Sequence, residues 1–462
     1  MIIDRLYTPS LAQVAYLVAD DSTGDVAVID PRRDVQSALD WAAERGFRIT
    51  SIFETHVHAD FVSGGPELAR LTGAPLHTSR LGHQEFPHHP LDDGDVVSVG
   101  NLTIQALWTP GHTPEHMSYL LFDPARGETP VALFSGDALF VGDVGRPDLL
   151  GASHTTELAE QLHATVSERF MSLPDEVVVY PGHTAGSSCG KQIGDAPDTT
   201  IGAEKRMNYA FKPMDREKFV ATVLKDMPLA PTYYPELKKV NKVGPVSIAT
   251  LPEIAPLSPA KVDAMLSANA LVIDTRSAAE FGDGHIPGVL AVGWGSNFLT
   301  WMGWIAPYDR DLVLVLDDAT SHDEVALELR RIGIDRVSGY LEGGMAAWRE
   351  AGLPVATMPQ ISVSELAQRL TETGSALAVL DVRRPDEWDE GHITSARHAY
   401  AGELTQGADA PVDDSRPTAV VCGSGYRSAV AASLLAQRGH ANLLNVTGGM
   451  TAWNEAGLPV VR

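Results

Sequence analysis

The sequence of 462 residues predicts an α/β multidomain protein: a β-sandwich with helices outside, then two tandem parallel sheets covered by helices. Three observations predict it. Residues 1 to about 190 carry many short apolar runs with few helical patterns between them, as a sandwich requires. From Leu251 onward the sequence repeats itself at domain length. Within each copy, short β-branched runs alternate with helical patterns, which argues for parallel strands joined by crossover helices.

In chain order, the first domain's strands are expected at 13–18, 26–30, 49–53, 102–107, 117–121, 131–134 and 177–180. Between about 195 and 250 lies a stretch of helix formers that ends in Pro228, Pro231, Tyr233, Tyr234 and Pro235. It lacks Gly/Ser tracts and reads as a helical extension of a first domain covering 1–250, not as a loose linker. The next domain, 251–356, opens with a motif at Asp274 and Gly284-His285-Ile286. The last, 357–462, answers it at Asp381 and Gly391-His392-Ile393, both offset by 107. Each copy closes alike, with Gly343-Gly344-Met345 leading to Trp348 and Gly448-Gly449-Met450 leading to Trp453.

With 35 Lys+Arg against 60 Asp+Glu, the net charge of −25 argues against nucleic acid or an anionic membrane surface as partner. No leader-like pattern opens the sequence and no apolar stretch reaches membrane-spanning length, so a soluble cytoplasmic protein is expected. Two cysteines, Cys189 and Cys422, fit a reducing compartment.

Cys422 opens a loop, Cys422-Gly423-Ser424-Gly425-Tyr426-Arg427, directly after an apolar strand. Glycines let successive N–H groups converge on one point, and the arginine adds a fixed charge; both favour a thiolate. The alternative is a buried small hydrophobe. Aligning the closing motifs puts Asp317 opposite Cys422 and His322 opposite Arg427. The middle copy thus lacks nucleophile and anion-binding arginine, and Asp318, Asp323 and Glu324 make its loop repel anions. A structural or docking role is expected there.

In the first domain four expected strand ends deliver metal-binding chemistry: His56, His58 and Asp60; His112; Asp137; and His183. Alternation along an extended chain would put His56, His58 and Asp60 on one side, and imidazoles plus carboxylates suit a divalent transition metal. A single such histidine is usually a satisfied core residue. Four segments in this order are not explained that way.

These segments resemble the metallo-β-lactamase superfamily, with its His-x-His-x-Asp-His signature, and imply an αββα sandwich. Here Phe61 stands where the signature's last histidine holds a second metal, which leaves one ion on His56, His112 and Asp137. Two imidazoles and a carboxylate with open positions suit non-haem Fe(II). The stretch from Gly136 through Arg146 to Asp148 is similar to that of persulfide dioxygenases. That resemblance implies one Fe(II) per chain and oxidation of a low-molecular-weight persulfide, of glutathione or another thiol, by O2 to sulfite and thiol. It makes Arg146 a substrate-side cation, puts His183 facing substrate and places His58 and Asp60 around the ligands.

The tandem copies resemble rhodaneses, and the six-residue loop matches their sulfurtransferase loop. This implies sulfane-sulfur transfer from thiosulfate or a persulfide through Cys422 and Arg427, with Gly423, Ser424, Gly425 and Tyr426 lining the substrate. A homo-oligomer is expected. The rival reading is a dinuclear glutathione thioester hydrolase, similar to hydroxyacylglutathione hydrolase, with Asp60 and His183 holding a second metal. A third is a sulfur carrier without catalysis in its first domain. Cys189 is either a persulfide carrier or an inert thiol, and His116 either packs or reaches the site. An acidic protein that receives an anionic thiol needs a locally basic entrance, for which Lys191, Lys205 and Arg206 are candidates.

Overall fold

In the strand Gln13–Asp20, Val14, Tyr16 and Val18 face one way and Leu17 and Ala19 the other, and all five are buried. Burial on both faces is why this run reads as nearly continuous apolar sequence. The computed structural model, which describes residues 1–317, 320–372 and 376–462, divides into two units. Met1–Leu251 with Arg330–Gly333 makes the first; Pro252–Leu329 with Ile334–Arg462 makes the second.

The first unit holds two six-stranded sheets. One runs in sequence order from Ile2–Thr8 to His89–Leu91; its first three strands are antiparallel and the rest parallel. The other runs Thr199–Thr200, Val178–Pro181, Ala132–Gly136, Met117–Phe122, Leu102–Trp108, Val96–Val99. Val14, Tyr16, Ile29 and Phe53 of the first sheet share a core with Ile104, Tyr119 and Phe134 of the second. On the outer face of the first sheet, Leu17, Val26 and Val28 meet Ala38, Trp41 and Leu68 from the helices Gln36–Glu44 and Gly65–Thr72. On the other outer face, Leu120, Leu133 and Val179 meet Leu162, Ile201, Phe211 and Phe219. The order of layers is helix, sheet, sheet, helix. The segment expected to be a helical extension forms the helices Ile201–Met207, Arg216–Leu224 and Tyr234–Val243, and Ile201, Phe211, Phe219 and Val223 of its first part join that last core.

The second unit holds two five-stranded, all-parallel sheets with the same topology. The first runs Ala255–Leu257, Val337–Leu341, Leu312–Val315, Leu271–Asp274, Leu290–Ala291. The second runs Gln360–Ser362, Leu443–Thr447, Thr418–Val421, Ala378–Asp381, Ala396–His398. The repeated motifs are the scaffold of this fold. Arg276 bonds the Asp274 carboxylate and the Gly284 carbonyl, and Arg383 repeats this with Asp381 and Gly391. The indole N–H groups of Trp348 and Trp453 donate to the carbonyls of Pro354 and Pro459. Buried polar groups must be paired, so both copies keep the same residues whatever their loops do.

Candidate metal centre and sulfur-transfer loop

The candidate metal-ligating side chains lie just past strand ends of the two sheets. His56 Nε2, His112 Nε2 and an Asp137 carboxylate oxygen lie within 4.8 Å of one another. Nε2 of His112 is 3.5 Å and that of His56 4.0 Å from Asp137 Oδ2. None of these three atoms has a hydrogen-bond partner among the described residues, although all are buried. Orphaned buried acceptors cost about 1–3 kcal/mol each, and one cation between them removes that cost. The donor set therefore fits one metal ion.

Neighbouring groups set the ligand orientations. Nδ1 of His112 lies 3.0 Å from the Arg146 carbonyl and that of His56 3.0 Å from the Thr55 hydroxyl, leaving each Nε2 free. Burial holds both imidazoles well below the usual histidine range, so both are neutral. Burial also pushes the Asp137 carboxyl up to about 6, against the pull of His183. His116 is held by Thr109 and accepts the backbone N–H of Asp137 at 3.0 Å; it positions a ligand and is not one of the three. Glycine is needed at 136, with φ +50° and an added Cβ 2.7 Å from His116 Nε2, and at 182, where Cβ would be 2.6 Å from Asp137 Oδ1.

Three expectations change here. Residues 54–62 form a loop, not an extended strand, so His56, His58 and Asp60 do not line up on one side. His58 Nε2 lies 3.1 Å from Asp30 and 3.0 Å from Glu54; burial opposes its protonation, but the two carboxylates outweigh it and raise His58 well above its usual range. Arg146, expected to face substrate, is fully buried. Its guanidinium grips Asp148 at 2.6 and 2.8 Å and the carbonyls of Ser188 and Pro228, which leaves it a structural clamp. Of the entrance cations, Lys191 bonds the carbonyls of Thr222 and Lys225, while Lys205 bonds Leu173 and Asp175. Arg206 also lies by Asp175, whose carboxyl it helps to lower after Lys205.

A second group forms beside the first. His183 Nε2 is 3.1 Å from Asp60 and 3.6 Å from Asp137, and Asp60, His183 and Cys189 all lie within 4.8 Å of one another. Burial works against protonation of His183, but Asp137 and Asp60 outweigh it and raise its pKa well above the usual range. Burial, then Asp60 and Asp137, push the Cys189 thiol up to about 12. Phe61 packs on the His58 ring at 4.3 Å, away from any ligand role. The motif reading missed Lys238 and Glu115. The Glu115 carboxylate accepts the Val57 N–H, and the Lys238 charge reaches His56 and His112. Neither belongs to a spaced pattern that sequence could flag.

In the last domain Cys422 follows the strand Thr418–Val421, and the helix Tyr426–Gln437 begins four residues later. Gly425, at φ +98°, turns its N–H onto Cys422 Sγ at 3.1 Å, and the Ser428 hydroxyl lies 3.4 Å from the sulfur. Ser424 is exposed. Arg427 is held by both oxygens of Glu387, at 2.5 and 2.6 Å, a partner the sequence did not reveal. Tyr426 donates its hydroxyl to the Gly293 carbonyl at 2.8 Å. In the middle copy His322 stacks on Tyr340 at 4.5 Å. Asp318 lies outside the described residues.

Fold and donor set define an αββα enzyme domain with a candidate metal site, followed by two repeated α/β domains with parallel sheets. Comparison with known proteins makes the assignment specific. A model of the metallo-beta-lactamase superfamily matches residues 9–183, and one of rhodanese-like domains matches 258–351 and 362–456. A metallo-beta-lactamase of Staphylococcus aureus, of known structure, is 35% identical with a TM-score of 0.68, over 73% of this chain and 98% of that one. A hydroxyacylglutathione hydrolase of Polaromonas is 32% identical over 231 residues, 49% of this chain and 82% of that protein. A mitochondrial persulfide dioxygenase of Bos taurus is 29% identical over 189 residues, 40% of this chain and 68% of that protein. The chain belongs to the metallo-beta-lactamase superfamily and carries two rhodanese-like domains.

Proposed function

We propose that the first domain oxidises a low-molecular-weight persulfide with O2 to sulfite and thiol at a single Fe(II), and that Cys422 transfers sulfane sulfur. The observation that carries the first half is the orphaned set of His56 Nε2, His112 Nε2 and Asp137 Oδ2, which suits one ion with open positions. Similarity to a persulfide dioxygenase supports the choice of substrate, and two imidazoles with a carboxylate suit Fe(II). Iron, when bound, supplies the activation of O2. The reaction balances as R–S–SH + O2 + H2O giving R–SH and sulfurous acid, which ionises to sulfite. His112 and His56 present neutral nitrogens, Asp137 presents a carboxylate, and His116 with Thr55 fixes their directions. At Cys422, the sulfur attacks the outer sulfur of thiosulfate, the S–S bond breaks and sulfite leaves. The Gly425 N–H and Ser428 hydroxyl steady the charge on the cysteine sulfur.

One observation favours a second reading, a dinuclear glutathione thioester hydrolase. Cys189 joins Asp60 and His183 and so offers a third donor where Phe61 removed one. Similarity to a hydroxyacylglutathione hydrolase points the same way. Oxygen uptake separates the two. Glutathione persulfide should consume one O2 per sulfite formed; hydrolysis of a glutathione thioester without oxygen uptake would establish the rival.

A further inference from the structure

Three of the cations that the sequence offers for an anionic substrate are engaged elsewhere: Arg146 on Asp148, Lys191 on two carbonyls, Lys205 on Asp175. One other cation stands beside the centre. In the helix Tyr234–Val243, Tyr234, Lys238 and Asn241 are four and three residues apart and share a face. Both ends of that face are tied to the site. The Tyr234 hydroxyl is 3.8 Å from Cys189 Sγ. The Asn241 amide donates to the carbonyls of His58 and Phe61 and accepts the Ser63 N–H. Lys238 lies between these anchors, half-buried, with neither a hydrogen bond nor an ion pair to any of the described residues. Its charge is felt by both His56 and His112, and Glu115 is the carboxylate that acts on it. A cation kept partly out of water, with Glu115 acting on it only at a distance and no bonded partner, loses solvation that an arriving anion would repay.

We propose that Lys238 is a substrate-binding residue whose ammonium holds the negatively charged sulfur group of the substrate, and of the sulfite formed from it, against the face of the His56, His112 and Asp137 centre. The substrate part of this inference rests on the persulfide reading above; the sulfite part does not. Lysine suits the task because its charge is compact and its stem long enough to follow a group that changes from S–S⁻ to sulfite.

The test uses the full-length iron-loaded protein and its Lys238→Met and Lys238→Arg variants. Titration calorimetry with sulfite should show affinity weakened roughly tenfold to a hundredfold in Lys238→Met, as loss of one charge-assisted contact gives, and largely kept in Lys238→Arg. The KM for glutathione persulfide and for the persulfide of uncharged 2-mercaptoethanol should rise together, with kcat and the melting temperature little changed. Unchanged sulfite affinity in Lys238→Met would overturn the proposal. So would a KM increase confined to glutathione persulfide, which would put Lys238 on the carrier's carboxylate instead. If wild-type protein consumes no oxygen, the persulfide reading fails, and the sulfite titration still decides what Lys238 binds.

Discussion

Arg146→Met separates a clamp from a substrate contact. The guanidinium makes two bonds to Asp148 and one each to the carbonyls of Ser188 and Pro228, which ties three segments together around the metal centre. Methionine keeps the apolar stem's packing and removes all four. Breaking a buried ion pair from one side costs about 3–5 kcal/mol. The Asp148 side chain is 25% exposed, so water recovers part of that, and about 3 kcal/mol remains. For a unit of this size that is a fall of roughly 6–12 °C in Tm. Calorimetry of the metal-loaded protein checks the fall, and oxygen uptake below the melting range should show an unchanged KM. Asp148→Asn combined with Arg146→Met should cost less than the sum of the two, because each single change strands the other's partner. A raised KM with no change in Tm would refute the clamp and restore the arginine to the substrate.

Other outcomes follow from the same geometry. Asp137→Ala should abolish persulfide-dependent oxygen uptake and leave thiosulfate-to-cyanide sulfur transfer intact, and Cys422→Ser should do the reverse; loss of both activities from either folded variant would contradict two independent sites. In Cys422→Ser protein incubated with thiosulfate, mass spectrometry of peptides from 251–356 should find no added sulfur, since Asp317 offers no thiol. Burial holds His77 down to about 4. Between there and its unfolded value near 6.5, only the unfolded chain takes up this proton, so His77 makes stability fall as pH drops through that window. The slope is at most about 1.4 kcal/mol per pH unit. His77→Phe should flatten that part of the acid limb in denaturant titrations, and an unchanged slope would count against the buried neutral imidazole.

Periodicity and repetition carried most of the fold. The nearly continuous apolar run of Gln13–Asp20, buried on both faces, and the repeated Asp-x-Arg and Gly-His-Ile motifs are direct imprints of sheet packing and of buried polar pairs, so they survive in the sequence. His56, His112 and Asp137 were legible because each follows a strand end and brings a chemically distinctive side chain. What sequence could not give was the direction in which a loop residue points. His58 is two positions from His56 yet turns to Asp30 and Glu54, because residues 54–62 are not extended. Arg146 sits in a motif that suggests substrate, but Asp148 two residues on is its partner. Glu387 and Arg427 are forty residues apart, and Lys238 reaches the centre only through how its helix packs. Such pairings depend on tertiary placement and leave no local pattern.

Metal content per chain tests the central claim most directly. Protein prepared without added metal and freed of loosely bound ions should hold one iron per chain by elemental analysis. His112→Ala should lose it, while Cys189→Ser should keep it, because the proposed centre uses His56, His112 and Asp137 alone. Two tightly held ions per chain, with one lost in Cys189→Ser, would contradict the mononuclear centre and the persulfide chemistry built on it.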